Sequence, residues 1–199
     1  MSTIKMFGKW DTIDIHVNDP GLQKYISLDP ILVPKSSGRN AKFRFYKSKN
    51  NIVERLANKL MIPGHKGKKH TKTSGRCTGK AQTTNKIILE TFSMLEKNLQ
   101  KNPIAVFIKA VENAAPREEI TTIEYGGAKY PQAVDCAPQR RVDIALRQMI
   151  QGAYTKSFGK KISMARALAE EITKAYNMDH QSQSISKKLE LERQADSSR

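Results

Sequence analysis

The fold is decided by the stretch PIAVFIKAVENAAPREEITTIEYGGAKYPQAVDCAPQRRVDIALRQ, residues 103–148, which predicts a helix, a β-hairpin and a second helix in succession. Asn102 is a suitable cap for the first helix, Pro103 suits its first turn, and Pro116 closes it. Its apolar residues recur at the intervals of three and four that are typical of a buried helix face, and they are Ile104, Phe107, Ile108 and Val111.

The hairpin is predicted around Gly126-Gly127, where two segments of alternating apolar and polar residues meet. Pro131 suits an edge position or the turn region of such a hairpin. Beyond the hairpin, Pro138 opens the second helix of the stretch. The apolar side of this helix is predicted from Val142, Leu146, Met149 and Ala153.

Helical spacing predicts four more helices outside this stretch. One covers residues 52–60 and ends before Pro63-Gly64, and a longer one covers residues 87–99. Another begins at Ser163 and reaches residue 176, and a polar one runs over residues 184–192. The chain is therefore predicted to be mainly α: a bundle of about six helices with one protruding β-hairpin at about residues 120–136.

The first 45 residues are predicted to form an irregular N-terminal arm in front of a helical domain of residues 46–199. Ile13, Ile15 and Val17 alternate with polar residues, which predicts one short strand. Residues 18–21, Asn-Asp-Pro-Gly, predict a turn. Trp10 is expected to anchor the arm against the rest of the protein.

The charge is concentrated in one part of the chain. Of the 199 residues, 35 are Lys or Arg and 19 are Asp or Glu, which gives a net charge of +16. Residues 30–89, called here the positive segment, contain fifteen Lys or Arg and a single acid, Glu54, and so carry +14 of that charge. An ordinary solvated face would interleave acids with bases, so this excess indicates a polyanionic partner.

Within the positive segment, residues 63–80 (PGHKGKKHTKTSGRCTGK) are predicted to form a loop that binds phosphate groups. Its glycines and hydroxyl residues allow the backbone to approach phosphates closely. We expect the loop to become ordered on binding. Its cations are Lys66, Lys68, Lys69, Lys72, Arg76 and Lys80.

Just before it, residues 42–47 (KFRFYK) interleave aromatic residues with cations. Exposed rings would stack on unpaired bases while the cations contact the backbone. The alternative, slightly favoured by the alternation, is a strand whose Phe43 and Phe45 side chains enter the core.

A membrane partner is disfavoured by the sequence. No stretch approaches the roughly 20 apolar residues of a spanning helix, and the N-terminus lacks an apolar run followed by a cleavage site. We therefore expect a cytoplasmic protein, in which Cys77 and Cys136 are reduced thiols.

Enzyme chemistry finds little support. The sequence contains none of the common phosphate-loop, nucleophile-elbow or zinc-protease motifs. Glu118 and Glu119 are adjacent, so their side chains should diverge, and Glu170 and Glu171 are expected on an exposed helix face. A zinc site from His65, His70 and Cys77 is a weak alternative, because the spacing is loose and lysines surround it. No metal and no cofactor are expected.

Several motifs, in order, resemble the small-subunit ribosomal protein seven family. They are the Glu112-Asn113-Ala114-Ala115-Pro116 helix end, the Tyr125-Gly126-Gly127 turn, the Tyr130-Pro131 return and Pro138-x-Arg140-Arg141. The last residues, LELERQADSSR, and the long N-terminal arm are similar to its archaeal and eukaryotic branch. The family's bacterial form has a short Gly-Lys-Lys loop where this sequence extends Gly67-Lys68-Lys69 through Lys80.

The resemblance implies a mostly helical fold with a protruding ribbon and a structural role in the ribosome. It implies binding to the small-subunit rRNA of the head, nucleation of head assembly, and a ribbon near the exit-site tRNA and the outgoing mRNA, with neighbouring ribosomal proteins as further partners. The candidate rRNA contacts are the loop cations above and Arg39, Lys42, Arg44, Arg117, Arg140, Arg141 and Arg147. The candidate contacts near tRNA and mRNA are Tyr125, Gly126, Gly127, Lys129 and Tyr130.

Alternatives are kept open for these residues and for the function. Arg140, Arg141 and Arg147 could instead be surface cations or pair with Asp143 or Glu112, and Tyr125 and Tyr130 could serve in the core or as cross-strand pairs. A DNA-binding module would require a compact basic helix, whereas most of the charge here lies in predicted loops and the arm. An RNA-modifying enzyme would require a catalytic acid or base for which the sequence offers no candidate.

Overall fold

The computed structural model of the chain describes residues 4–66, 69–70 and 80–199, with the backbone alone for Lys66, Lys69 and His70. The helices are α1 (Pro20–Gln23), α2 (Ile52–Leu60), α3 (Ala81–Leu99), α4 (Pro103–Ala114), α5 (Pro138–Ser157), α6 (Met164–Tyr176) and α7 (Gln183–Asp196). The strands form two antiparallel pairs, β1 (His65–Lys66) with β2 (Lys69–His70) and β3 (Glu118–Tyr125) with β4 (Ala128–Asp135). The mainly α prediction with a single long hairpin is confirmed.

Helix α6 lies at the centre of the bundle, where it packs against α3, α4 and α5. Its buried face is rich in alanine (Ala165, Ala167, Ala169 and Ala175), and such small side chains allow neighbouring helices to approach closely. Helix α4 buries ten of its twelve residues, because other elements cover it on several sides. Within the described part of the chain, no helix is long and apolar enough to cross a membrane.

The N-terminal residues pack onto this bundle. Met6, Trp10, Leu22 and Ile26 are all buried in the common core. Trp10 anchors the segment: its indole N–H donates to Glu96 Oε2 at 3.1 Å, and its ring meets Phe92 edge-on.

Two local predictions for the N-terminal residues are wrong. Residues 13–17 do not form a strand, and Ile13 is exposed, because no neighbouring strand pairs with them among the described residues. Residues 18–21 begin helix α1, since the Asp19 carboxylate caps it by accepting the Gly21 N–H at 2.8 Å. The backbone N–H groups of Asn18 and Asp19 both donate to Glu112 Oε1, which attaches this segment to α4.

The hairpin projects from the bundle as a ribbon. Its register runs from Glu118 opposite Asp135 to Tyr125 opposite Ala128. Gly126 and Gly127 have φ angles of 60° and 81°, as a tight two-residue turn between twisted strands requires. Helix α7 and the residues after it contact the base: Glu192 Oε1 accepts the Arg117 N–H at 3.0 Å, and Arg199, three residues beyond the helix, pairs with Glu118.

Helices α5, α6 and α7 meet around one carboxylate, and here the sequence-based expectation is wrong. Glu171 is fully buried rather than exposed. Lys156 donates to it at 2.7 Å, and the Ser182 hydroxyl and Ser184 N–H donate at 2.8 and 3.2 Å. The helical pattern gave no sign of this, because the partners come from two other helices.

Helix α3 begins at residue 81 rather than 87, and α7 runs to residue 196 rather than 192.

Candidate nucleic-acid interface

The single acid of the positive segment is turned away from solvent. Glu54 is only 6% exposed, and its Oε1 accepts hydrogen bonds from the Ser36 N–H at 2.9 Å and the Ser36 hydroxyl at 2.5 Å. Its charge therefore serves to attach the arm to α2. In the part of the positive segment that the structure describes, the exposed cations consequently have no carboxylate of the segment between them.

Three predicted RNA contacts, Arg39, Lys42 and Arg44, lie together on this surface. Arg39 and Lys42 lie on a 3-10 turn, Arg39–Lys42, and a second such turn, Tyr46–Lys49, follows closely. All three side chains are exposed. Arg39 Nε donates to the Ser36 carbonyl at 3.0 Å, so this guanidinium is held in place while facing solvent.

Two phenylalanines stand among these cations. Phe43 is 58% exposed and Phe45 is 64% exposed, so the alternative of a strand buried in the core is wrong. The physical reason is that Phe43 and Phe45 lie in a bend between two 3-10 turns, so no extended strand forms that could direct both rings into the core. Lys49 Nζ lies 4.7 Å from the centroid of the Phe43 ring, and the Arg44 guanidinium lies 5.7 Å from that of Phe45. Such cation–π pairs on exposed rings are suited to stacking on unpaired bases.

Behind this surface, α2 and α5 are joined by a buried ion pair. Arg55 NH2 lies 3.3 Å from Asp143 Oδ1, and Lys47 Nζ lies 3.1 Å from Asp143 Oδ2. Burial alone would raise the pKa of Asp143, but the charge of Arg55 and the hydrogen bond from Lys47 outweigh it and lower the pKa below its ordinary value. Asp143 was considered as a partner for the α5 arginines; its partners are instead these two cations.

One helical turn further along both helices, the predicted contact Arg147 is exposed at the mouth of a cavity of about 300 Å³. Lys59 of α2 lines the same cavity, and sequence reasoning missed it. Burial, and then the charge of Arg147, lower the pKa of Lys59. The sequence does contain an indication of Lys59, because its spacing of four from Arg55 places both cations on one face of α2.

Arg140 and Arg141, both predicted rRNA contacts, are engaged in ion pairs within the chain. Arg140 forms two hydrogen bonds to Glu119, of 2.5 and 2.7 Å, and its side chain is 55% exposed. Arg141 donates to Asp19 at 2.8 Å and to the Pro116 carbonyl at 3.0 Å. The partners suggested by the sequence, Asp143 and Glu112, were wrong. The true partners lie on the hairpin and on the N-terminal segment, far away in sequence.

The remaining predicted cations are only partly described. Lys80 donates to the Met61 carbonyl at 3.4 Å and is half-buried, and the Arg117 side chain is exposed at the base of the ribbon. The side chains of Lys66 and Lys69 are not described. Lys68, Lys72 and Arg76 lie outside the described residues.

The residues predicted near tRNA and mRNA form the tip of the ribbon. Tyr125 is 82% exposed and Tyr130 is 58% exposed, so neither belongs to the core. In the register, Tyr130 lies opposite Ile123 and Lys129 lies opposite Glu124. Gly126 and Gly127 form the turn between them. The tip therefore presents two aromatic rings and a lysine to solvent.

Catalytic and metal chemistry gains no support from the described side chains. Glu118 and Glu119 diverge as predicted, to Arg199 and to Arg140. Across residues 4–66, 69–70 and 80–199, no cluster of three His, Cys, Asp or Glu side chains forms a metal site. The zinc alternative involves Cys77 and the His70 side chain, which fall outside that description. Cys136 is a buried free thiol, and burial, followed by the charge of Glu119, raises its pKa to about 11.

A helical bundle with outward cations, exposed rings and a projecting ribbon has the features of a nucleic-acid-binding structural protein. The sequence model of the family described as Ribosomal protein S7p/S5e matches residues 23–199. The chain is 57% identical over 196 residues to the protein named Small ribosomal subunit protein uS7 of the archaeon Nanoarchaeum equitans, and the match covers 98% of this chain and 99% of that protein.

The chain therefore belongs to the ribosomal protein S7p/S5e family, and the resemblance to its archaeal and eukaryotic-type branch is confirmed. It is a structural constituent of the small ribosomal subunit, an RNA-binding component of a cytoplasmic ribonucleoprotein that acts in translation. The family is one of ribosomal structural proteins and not of enzymes.

Proposed function

We propose that the chain binds the small-subunit rRNA of the head through the outward cations of the positive segment and nucleates assembly of that region. The observation that carries this proposal is the inward-facing Glu54, which leaves the outer surface of the segment positively charged. Cations on such a surface displace the counterions of RNA phosphates, and this release supplies much of the affinity.

The folded scaffold would convert this affinity into selectivity. Arg39 is fixed by its hydrogen bond to the Ser36 carbonyl, and Lys47 is fixed by Asp143, so the cations have defined relative positions. A fixed pattern of cations matches one folded RNA by shape. The exposed rings of Phe43 and Phe45 add contacts to unpaired bases, which double-stranded nucleic acid does not present.

Equilibrium binding tests the proposal. The intact chain is titrated with the head fragment of small-subunit rRNA, with an unrelated folded RNA and with duplex DNA at several salt concentrations. We expect binding to the head fragment to persist at salt concentrations that release the other RNA. Equal affinity for both RNAs, lost together as salt rises, would contradict the proposal and favour generic polycation binding, and tighter binding to duplex DNA would favour the DNA-binding alternative.

A matched pair of variants locates the contact surface. Replacing Arg39, Lys42 and Arg44 together by Gln removes three cations from the positive segment. Replacing Lys97, Arg166 and Lys174 by Gln removes three from the groove between α3 and α6. We expect the first variant to bind more weakly, with a salt slope smaller by roughly 0.7–0.9 for each phosphate that it no longer neutralises, and the second to change little. Equal effects of the two variants would contradict the assignment of the surface.

We also propose that the ribbon tip lies near the exit-site tRNA and the outgoing mRNA. Two exposed tyrosines and Lys129 give the tip the groups that stack on bases and attract phosphates. A photoreactive amino acid at position 125, in assembled subunits, should crosslink to exit-site tRNA or to mRNA. The same group at position 158, in the loop between α5 and α6, provides the control. Absence of any RNA crosslink from position 125 would contradict the placement.

The assembly role has a separate test. Small-subunit rRNA is probed chemically during reconstitution with and without the chain. We expect the head region to become protected, and later head proteins to bind, after this chain has been added. Unchanged protection of the head in its absence would contradict the nucleating role while leaving rRNA binding itself in place.

A further inference from the structure

Helices α2 and α5 pack side by side, and each carries two charged residues four positions apart. Arg55 and Lys59 lie on one face of α2, and Asp143 and Arg147 lie on one face of α5. The two faces meet at two successive levels, one helical turn apart. Arg55 faces Asp143 at the first level, and Lys59 approaches Arg147 at the second.

At the first level, the carboxylate and the cations are paired with one another. Both oxygens of Asp143 are occupied, Oδ1 by Arg55 and Oδ2 by Lys47. The second level brings two cations together. In the part of the chain that the structure describes, neither Lys59 nor Arg147 has an ion pair with an acid, and the only carboxylate acting on Lys59 is the already engaged Asp143.

A cavity of about 300 Å³ opens between these two cations. Lys59, Arg147 and Gln151 contribute polar groups to its lining, and Ile62, Pro63 and Ile150 contribute apolar surface, called here the apolar wall. The amide of Gln151 is held by its hydrogen bond to the His65 carbonyl at 2.7 Å, so this side of the cavity is fixed. The space therefore has two donors of positive charge, a rigid polar side and an apolar surface.

We propose that this cavity binds a phosphate group of the RNA backbone between Lys59 and Arg147, where the phosphate would pair with both cations as the Asp143 carboxylate pairs with Arg55 and Lys47 one turn earlier. Arginine and lysine together suit a phosphate, because the guanidinium fork fixes its orientation and the ammonium adds a point charge. The apolar wall accommodates the attached sugar. This inference rests on the proposed function, since it assumes that the bound polyanion is RNA.

If Lys59 formed an ion pair within the fold, the charged lysine would be favoured in the folded chain, and its replacement would lower the free energy of unfolding. Burial and the nearby Arg147 lower the pKa of Lys59, which means that the charged lysine is disfavoured in the folded chain. Removing that charge should therefore leave the free protein as stable as before or more stable. If replacing Lys59 weakens RNA binding without lowering the stability of the fold, the ionic partner of Lys59 belongs to the RNA and not to the chain.

The first test uses inorganic phosphate as the probe. The intact chain, with isotopically labelled lysines, is titrated with phosphate and followed by NMR at the lysine side chains. The signal of Lys59 should shift at lower phosphate concentration than that of the exposed Lys97, and its pKa should rise, because an anion stabilises the charged form. A Lys59 signal that moves no more than that of Lys97 would overturn the proposal.

The second test uses the head fragment of rRNA. Lys59→Met and Arg147→Met, which keep a long apolar stem, should each bind about tenfold more weakly and reduce the salt slope by roughly 0.7–0.9. Lys97→Met is the matched control and should bind as the unaltered chain does. Unchanged binding by both cavity variants would overturn the proposal, and so would a fall in melting temperature that accounts for the weaker binding.

The two proposals fail separately. If the unaltered chain distinguishes the head fragment from other RNA but Lys59→Met and Arg147→Met behave identically to it, the cavity proposal is wrong and the proposed function stands. If the unaltered chain binds all RNA equally, the proposed function fails, and the phosphate titration still decides whether the cavity takes a phosphate.

Discussion

Arg140 and Arg141 are adjacent in α5, yet their guanidinium groups enter ion pairs on different parts of the molecule. Arg140 holds Glu119 at the base of the hairpin, and Arg141 holds Asp19 at the start of α1. The Arg140 side chain is 55% exposed and that of Arg141 is 12% exposed. The first arginine is therefore accessible to a phosphate, whereas the second mainly attaches the N-terminal segment to the bundle.

Replacing Arg141 by Met should lower the free energy of unfolding by about 2 kcal/mol, because Asp19 and the Pro116 carbonyl both lose their partner. Arg140→Met should cost less than about 1 kcal/mol, since an exposed ion pair contributes little. Urea denaturation of both variants measures the difference. Equal losses of stability would show that exposure does not separate the roles of the two arginines.

The pH dependence of stability should reflect Asp143. Because Arg55 and Lys47 outweigh the effect of burial, its pKa in the folded chain lies below the ordinary value of 3.8. A lowered carboxylate pKa contributes stability that is present above the unfolded pKa and is lost as the pH falls through the folded pKa. The free energy of unfolding should therefore decline below about pH 4.

The variant Asp143→Asn tests this origin. At neutral pH it should be less stable by about 3 kcal/mol, because the buried Arg55 loses its counter-charge. Its free energy of unfolding should then fall less steeply with acid than that of the unaltered chain. Urea denaturation between about pH 7 and pH 3 gives both curves. Parallel curves would assign the acid sensitivity to other carboxylates, of which Asp19 also has a lowered pKa.

The helices could be predicted from sequence because their signals are local. Apolar spacing located α2 and α4 to the residue or nearly so, and Asn102-Pro103 marked the start of α4. The hairpin was found for the same reason, since Gly126-Gly127 supplies the two positive φ angles that its turn needs. Features whose cause lies elsewhere in the chain were missed or misread, such as the supposed strand at residues 13–17 and the burial of Glu171.

Gly152 is one such feature, because its importance depends on two other helices. A Cβ atom there would lie 3.0 Å from Gln183 Cβ and 3.0 Å from Glu171 Cδ. Gly152→Ala should therefore lower the free energy of unfolding by about 1–3 kcal/mol, although alanine is the better helix former by about 1 kcal/mol. Thermal and urea denaturation measure the sum of the two effects. A gain in stability would show that α5 and α7 separate easily.

The exposed rings of Phe43 and Phe45 should matter for RNA and not for the fold. Replacing both by Leu should leave the free energy of unfolding almost unchanged, because both side chains are more than half exposed. Affinity for the head fragment should fall, by about 1–3 kcal/mol for each base that no longer stacks. Phe158→Leu is the control, since Phe158 is similarly exposed, at 54%, outside the positive segment. Equal effects of the two changes would argue against stacking at Phe43 and Phe45.

The candidate site was predictable in its composition more than in its contacts. The excess of cations in the positive segment is evident from the sequence, because net charge does not depend on the fold. The sequence does not show which cations are available to RNA, because the ion-pair partners of Arg140 and Arg141 are distant in sequence. The helical spacing places Lys59 on the same face of α2 as Arg55, but its proximity to Arg147 depends on how α2 and α5 pack.

The ribbon is attached to the bundle at one end, and it behaves mechanically as a cantilever. Each strand has eight residues, so the tip lies about 26 Å from the base. A tilt of about 10° at the base would therefore displace Tyr125 by about 5 Å. The base is held by Arg140 of α5 and, near the end of the chain, by Glu192 of α7 and the following Arg199. A force on the tip would accordingly be transmitted as a torque to α7, which makes the stiffness of the chain's last helix a determinant of where the tip comes to rest.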